Sequence, residues 1–445
     1  MEIDSDMTPL PRIKLVKYVV AAPPRPPAVA KRTIGSKEES KDSDGSEEPT
    51  LEYVTQMERS CDDALLAAAL SCQDIKLYAR DTMVLGAKLA GHKGALTQLA
   101  FSPQDCHGLF SASEDGTVRG WDTRSTRSTI TFGQSGEEVW SVALGYDGHL
   151  CAAGKGVTID FFDLRKVKAG ETLRTYRDCH TDAVTQLCFH PVKHSFLLTG
   201  SEDGLMCYYD TGVSSEEDAL DSVLNAECAV RTLGFFGPEA DSVYCCSNTE
   251  TLSIWDPASA QRIVDYGDVR ALSRGQSPAS ADDSERDQGK GAAEVPWREW
   301  DLPVDYIVGC RYETEGDRLW LMAGGFDGEA CLATVSRESI TPEGVLGGGH
   351  SEQIRTFDWL GRSVATGGED AKICLWRVPG DGLDDRASRM VEEQGSEDER
   401  EGEEDRRGDA EAREGSMAQA TSAGRRADKR AGRMFRPYDT DKRRR

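Results

Sequence analysis

The sequence has no long apolar run. Its longest, Ala64 to Leu70, is far short of the roughly 18 residues a membrane-spanning helix needs. The opening residues, MEIDSDM, are acidic and lack the basic segment and apolar core of a secretory signal. No membrane partner is expected. Positive charge is also in deficit: 53 Lys and Arg stand against 78 Asp and Glu, for a formal net charge of −25. That balance excludes a surface that coats nucleic acid throughout and a basic membrane-binding face. The 13 cysteines include no C-x-x-C pair, and their scatter through strand-like segments suits small buried thiols in a reducing compartment.

Catalytic signatures are missing as well. There is no G-x-x-x-x-G-K-[ST], no H-E-x-x-H, no G-x-S-x-G and no strand-linked G-x-G-x-x-G. Among only seven histidines, His107, His190 and His194 lack any Cys/His spacing that would hold a metal. No enzyme, cofactor or metal site is expected.

What is present is segregated charge and a repeat. Residues 381–414 carry a net −9 and residues 415–445 a net +7. Neither stretch has apolar periodicity, so both are expected to be disordered tails, acidic at 379–414 and basic at 415–445. A Pro-rich, acidic linker is expected over 21–50 and a polar insertion over 267–300.

The rest is rhythmic. GH at Gly91-His92, LTQLAFSP and FSASEDGTVRGWD form one unit; CH at Cys179-His180, VTQLCFHP and LLTGSEDGLMCYYD form another; GH at Gly349-His350, IRTFDWL and VATGGEDAKICLW form a third. His92 and His180 are 88 residues apart, two steps of 44. Alternating Val/Leu/Phe/Thr segments broken by Asp-Gly turns mark antiparallel hairpins. Four strands per repeat of this length predict a β-propeller. Degenerate units ending at Asp163, Asp256 and Val335, with a first unit over Leu51–Leu89, bring the count to seven. Residues 51–378 are one strand short of seven complete blades. The segment Arg12–Val20, RIKLVKYVV, is expected to supply that strand and close the ring.

These units resemble the WD40 repeat family. The fold implied is an all-β, seven-bladed WD40 β-propeller with a disordered acidic/basic C-terminal tail. LTGSEDGLMCYYDT, DSVYCCSNTETLSIWD and TGGEDAKICLW resemble more narrowly the family of WD repeat-containing protein 89 with its fungal and plant relatives. The WD40 resemblance implies a buried His–Ser/Thr–Asp–Trp tetrad in each complete blade. The matching residues are His92, Ser111, Asp115 and Trp121; His180, Thr199, Asp203 and Tyr209, with Tyr in place of Trp; and His350, Thr366, Asp370 and Trp376. Tyr has no indole N–H, so the second tetrad is expected to be weaker.

Function is then expected to be non-catalytic: a monomeric ring acting as a protein–protein interaction scaffold. The family resemblance implies a nuclear role, with ribosome-assembly factors as partners, and localisation to nucleus or nucleolus as well as cytoplasm. An alternative rests on W-D-T-R (Trp121–Arg124) and F-D-L-R (Phe162–Arg165) in adjacent blades. These resemble boxes in substrate receptors of cullin-RING ubiquitin ligases, where Arg124 and Arg165 would meet the ligase adaptor. The clusters Arg425-Arg426, Lys429-Arg430 and Lys442, Arg443, Arg444 and Arg445 form a candidate localisation signal, and nucleic acid would bind only there.

Overall fold

The computed structural model describes residues 10–21, 52–133, 136–145, 148–166, 171–275, 300, 302–360 and 363–378. The expectations for the acidic and basic tails, and for the localisation residues Arg425 to Arg445, lie outside the described residues.

The chain opens with strand β1 (Arg12–Val20) and then builds seven four-stranded antiparallel blades, the sixth and seventh joined into one eight-stranded sheet through β1. Blade 1 holds β2 (Val54–Arg59), β3 (Leu65–Leu70), β4 (Ile75–Ala79) and β5 (Val84–Leu89). Blade 2 holds β6 (Leu96–Phe101), β7 (Gly108–Ser113), β8 (Val118–Asp122) and β9 (Arg127–Phe132). Blade 3 holds β10 (Val139–Gly145), β11 (Leu150–Lys155), β12 (Thr158–Asp163) and the short β13 (Arg174–Tyr176). Blade 4 holds β14 (Val184–Phe189), β15 (Phe196–Ser201), β16 (Leu205–Asp210) and, after the helical turn α1 (Glu216–Ala219), β17 (Leu220–Asn225). Blade 5 holds β18 (Val230–Phe236), β19 (Ser242–Ser247), β20 (Thr251–Asp256) and β21 (Gln261–Asp268), followed by α2 (Val269–Ser273). Blade 6 holds β22 (Tyr306–Glu313), β23 (Arg318–Gly324), β24 (Ala330–Val335) and β25 (Ile340–Leu346). Blade 7 holds β26 (Ile354–Leu360), β27 (Ser363–Gly368), β28 (Lys372–Arg377) and β1.

The first strands of the blades pack in cyclic order, β2 to β6, β10, β14, β18, β22, β26 and back to β2. This is a closed seven-bladed propeller. Because each sheet is antiparallel, one rim carries the starts of the inner strands (here the N-rim) and the other their ends (the C-rim).

Two local features make the blades alike where their side chains differ. The turn between second and third strands has one left-handed residue in every blade: Gln73, Gly116, Gly156, Gly204, Glu250, Gly328 and Ala371, with φ between 52° and 86°. Glycine fills four of the seven, where the absence of Cβ removes the steric cost; the others carry side chains at the same φ. Each interface between blades also has a side-chain hydrogen bond to the neighbouring backbone or reaching across it. Gln56 Oε1 accepts from Leu99 N at 2.7 Å and Gln98 Oε1 from Val142 N at 2.9 Å. Ser141 Oγ donates to Val184 O at 2.8 Å and Thr185 Oγ1 to Val230 O at 2.7 Å. Arg231 donates to Ile307 O, Ile354 N to Tyr306 Oη at 2.8 Å, and Met57 N to Thr356 Oγ1 at 3.2 Å. At about 1 kcal/mol net each, these bonds set register, while apolar cores between blades supply the cohesion.

β1 is a clasp. It pairs antiparallel with β28 from Lys14↔Arg377 to Val20↔Lys372, and parallel with β25 at Arg12↔Val345 and Ile13↔Leu346. A register shift between Leu15 and Lys17 reverses its inward face. Ile13 and Leu15 therefore pack with Trp320 and Trp376 between blades 6 and 7, whereas Val19 and Ala21 pack with Met57 and Tyr78 of blade 1. Lys17 Nζ donates to Thr82 O, and Lys76 Nζ to Ala21 O. One strand thus ties three blades.

Two sequence boundaries shift. Within the polar stretch expected over 267–300, residues 267–275 belong to the fold: Asp268 Oδ1 caps α2 by accepting from Arg270 N at 2.8 Å, and α2 buries Val269 and Leu272. Trp300 is buried in the same cluster. Likewise Ala21, expected at the head of the linker, is buried beneath β1's end.

Candidate functional site

The polar side chains that sequence reasoning singled out fall into two places. In blade 2, His92 Nε2 lies 2.7 Å from Ser111 Oγ and Nδ1 lies 2.9 Å from Asp115 Oδ2, while Trp121 Nε1 donates to Ser111 Oγ at 2.8 Å. In blade 7, His350 Nε2 is 2.8 Å from Thr366 Oγ1, Nδ1 is 2.9 Å from Asp370 Oδ1, and Trp376 Nε1 donates to Thr366 Oγ1 at 2.7 Å. The carboxylate can only accept, so Nδ1–H donates to it; Nε2 is then the nitrogen that accepts from the hydroxyl, whose oxygen accepts in turn from the indole N–H.

Blade 4 differs. His180 still meets Thr199 Oγ1 at 2.7 Å and Asp203 at 3.1 Å, but the Thr199 hydroxyl has the Cys207 carbonyl 3.3 Å away as a second acceptor. Tyr209 is fully buried and packs against Tyr176, ring centroids 5.0 Å apart. It packs in the core and leaves a triad of His180, Thr199 and Asp203. Blade 5 keeps only a fragment that sequence reasoning missed: Trp255 Nε1 donates to Ser253 Oγ at 2.8 Å.

Electrostatics follow from burial. Desolvation lowers the His92 and His180 pKa values despite their aspartates. Burial pushes the Asp115 carboxyl upward, but the Thr117 hydroxyl, the Lys93 N–H and His92 outweigh it and hold the group at about 2. Asp370 is held lower than the usual carboxylate range by the same balance, with His350 and Lys372 as donors. Each aspartate, held below the usual carboxylate range, is a charged clasp for its second-to-third-strand turn.

The second place is the C-rim. Arg124 follows β8 and Arg165 follows β12 at corresponding positions of adjacent blades, their side chains 65% and 67% exposed. Each is steadied by the aspartate two residues earlier: Arg124 Nε donates to Asp122 Oδ1 at 3.1 Å, and Arg165 donates through Nε and Nη2 to Asp163 at 2.9 and 3.0 Å.

Between the rims runs a channel of about 960 Å³. The sequence reading passed over its wall. One residue past the buried core position of each inner strand, blades 6, 7 and 1 carry Arg311, Asp358 and Glu58. The other four blades place Ala100, Ala143, Cys188 and Gly234 there. Asp358 is buried between Arg311 Nε at 3.8 Å and Arg59 Nε at 3.9 Å. Burial, and then the neighbouring Asp358, raise the Glu58 carboxyl. The signal that could have found this wall is a charge at an inward position of three consecutive inner strands. Among the described residues, no group of three or more His, Cys, Asp or Glu is placed to hold a metal ion.

The family model "WD domain, G-beta repeat" matches residues 83–122 and 170–210. The chain is 31% identical over 315 residues to WD repeat-containing protein 89 homolog of Dictyostelium discoideum, covering 70% of this chain and 79% of that protein. The chain belongs to the WD40 repeat family. A second WD40 relative, WD repeat-containing protein GTS1 of Arabidopsis thaliana, is 31% identical over 356 residues, 73% of this chain and 81% of that protein. A shorter similarity, 43% over 82 residues, links 18% of this chain to 16% of Ribosome biogenesis protein YTM1 of Ajellomyces capsulatus. In this WD40 ring the two blades that the family model matches are blade 2 and blade 4, whose histidine networks are the fullest apart from blade 7. No helix among the described residues is long and apolar enough to cross a membrane.

Proposed function

We propose that the chain is a non-catalytic interaction scaffold that works in the nucleus, in assemblies connected with ribosome biogenesis. The observation that carries the scaffold reading is the commitment of its chemistry-bearing side chains. His92, His180 and His350 are each less than 8% exposed and bonded at both ring nitrogens, so they stabilise blades and are not available as general bases. The ribosome link rests on the similarity to Ribosome biogenesis protein YTM1. The basic segment 415–445 would address the chain to the nucleus. The ring, net acidic, would leave contact with nucleic acid to that segment alone.

A second reading is supported by the paired positions of Arg124 and Arg165. Two exposed guanidinium groups, each oriented by its own aspartate, present rigid forks on one rim, as a cullin-RING adaptor contact would require. Affinity purification of the wild type and of an Arg124→Ala/Arg165→Ala double variant separates the two. The scaffold reading expects ribosome-assembly proteins with both baits and a chain lacking 415–445 that loses its nuclear signal. Recovery of the ligase adaptor by the wild type, abolished in the double variant, would establish the receptor reading instead. Absence of assembly proteins from both baits would end the ribosome link.

A further inference from the structure

Every histidine outside the blade-internal networks lies on the C-rim. His107, His149, His190 and His194 occupy the loops between first and second strands of three consecutive blades, 2 to 4. His190 is buried, its Nδ1 accepting from Val192 N and Lys193 N at 3.1 and 3.0 Å, and it shapes its loop. His149 and His194 are exposed and line a groove of about 530 Å³ between blades 3 and 4.

The groove is cationic on a chain of net −25. Its floor is Arg174, which donates to Val213 O at 2.9 Å and to Thr211 O across the blade boundary, and lies 4.8 Å over the Phe161 ring. Stacking and two carbonyls lock that charge in place. Arg165 forms one wall. Asp163, the one carboxylate in the lining, is already committed to it in a bidentate pair, with Lys166 Nζ 3.6 Å away. A guanidinium has five N–H donors; Asp163 uses two of the Arg165 set, so further acceptors can be taken. Leu173 borders the same groove and is 48% exposed.

We infer that this groove docks an acidic peptide segment of a partner protein. Carboxylates of the segment pair with Arg165 and the two imidazoles, and an apolar side chain covers Leu173. A polyanion such as RNA is a poorer fit, because its charge extends beyond a groove of this size onto an otherwise acidic ring. The inference deepens the scaffold reading by naming the face and the chemistry of its partner.

The test is fluorescence anisotropy with the full chain at low salt and three labelled probes: the peptide Glu-Asp-Glu-Leu-Asp-Glu, the peptide Lys-Lys-Lys-Leu-Lys-Lys, and a hexauridylate RNA. The acidic peptide is expected to bind at least tenfold more tightly than either of the others. Arg165→Ala and Leu173→Asp, both at exposed positions, are each expected to weaken it at least fivefold without lowering the thermal midpoint. Arg124→Ala, outside the groove, is expected to leave it unchanged. Equal binding by all variants, or a basic peptide or RNA that binds as tightly, overturns the inference. Such a failure leaves the protein-capture test of the scaffold untouched, whereas a chain that captures no protein overturns the scaffold whatever this groove binds.

Discussion

Removing residues 1–21 should cost the protein its cooperative thermal transition. β1 is the outer strand of blade 7, the parallel neighbour of β25 and a lid on blade 1 at once. Without it, β28 becomes an open edge and the packing around Trp376 and Trp320, which are 0% and 3% exposed, faces solvent. A loss of more than about 4 kcal/mol is expected, a size reached only when a core is opened, and the truncated chain should aggregate on heating. A point substitution isolates the packing part of the effect. Ile13 is 4% exposed, so Ile13→Ala should cost about 3 kcal/mol by urea denaturation. Val16→Ala, at a position 48% exposed, should cost almost nothing. Equal values for the two would show that the clasp carries no load.

The second large effect belongs to the histidine networks. His350→Ala strands both Thr366 and Asp370 in a buried site, and a cost of about 3 kcal/mol is expected. Trp376→Phe removes the indole donor along with some packing and should cost about 2 kcal/mol. Tyr209→Phe should cost less than about 1 kcal/mol, because Tyr209 packs without completing the blade 4 network. The same networks set the acid limb. His92 and His180 have folded pKa values below the ordinary 6.5, so the unfolded chain takes up protons first and stability falls as pH drops below that value. Asp115, held at about 2 against an ordinary 3.8, adds a further loss as pH falls from near 4 towards 2. Thermal melts from pH 8 to 2 should show both steps. Replacing His92 and His180 by Gln should flatten the upper one.

The sequence makes the fold legible wherever residue identity and backbone conformation coincide. Gly116 and Gly204 announce their turns, and Trp121 and Trp376 announce their blades. The degenerate blades hide because the fold requires the conformation and tolerates other residues. Gln73 and Glu250 adopt the left-handed φ that glycine marks elsewhere, and blades 1 and 5 read as irregular although their geometry is not. Tyr209 shows the reverse: a residue in the right place need not make the expected bond. The insertion boundary was obscured because Asp268 caps a helix, yet in composition it reads as one more polar residue. The channel charges Glu58, Arg311 and Asp358 are 47 to 300 residues apart in sequence, and only ring closure brings blades 6, 7 and 1 side by side. The groove between blades 3 and 4 is equally invisible in sequence, since Arg174 becomes a floor only when β13 lies against the loops of blade 4.

The closed ring, and not either tail, should be the part that captures a protein partner. This is tested most directly by quantitative capture from cells with three baits: the full chain, residues 1–378 and residues 22–445. The stoichiometric partners of the full chain should be retained by 1–378 and lost by 22–445, in which the clasp is missing. Partners kept by 22–445, or lost with residues 379–445, would contradict it.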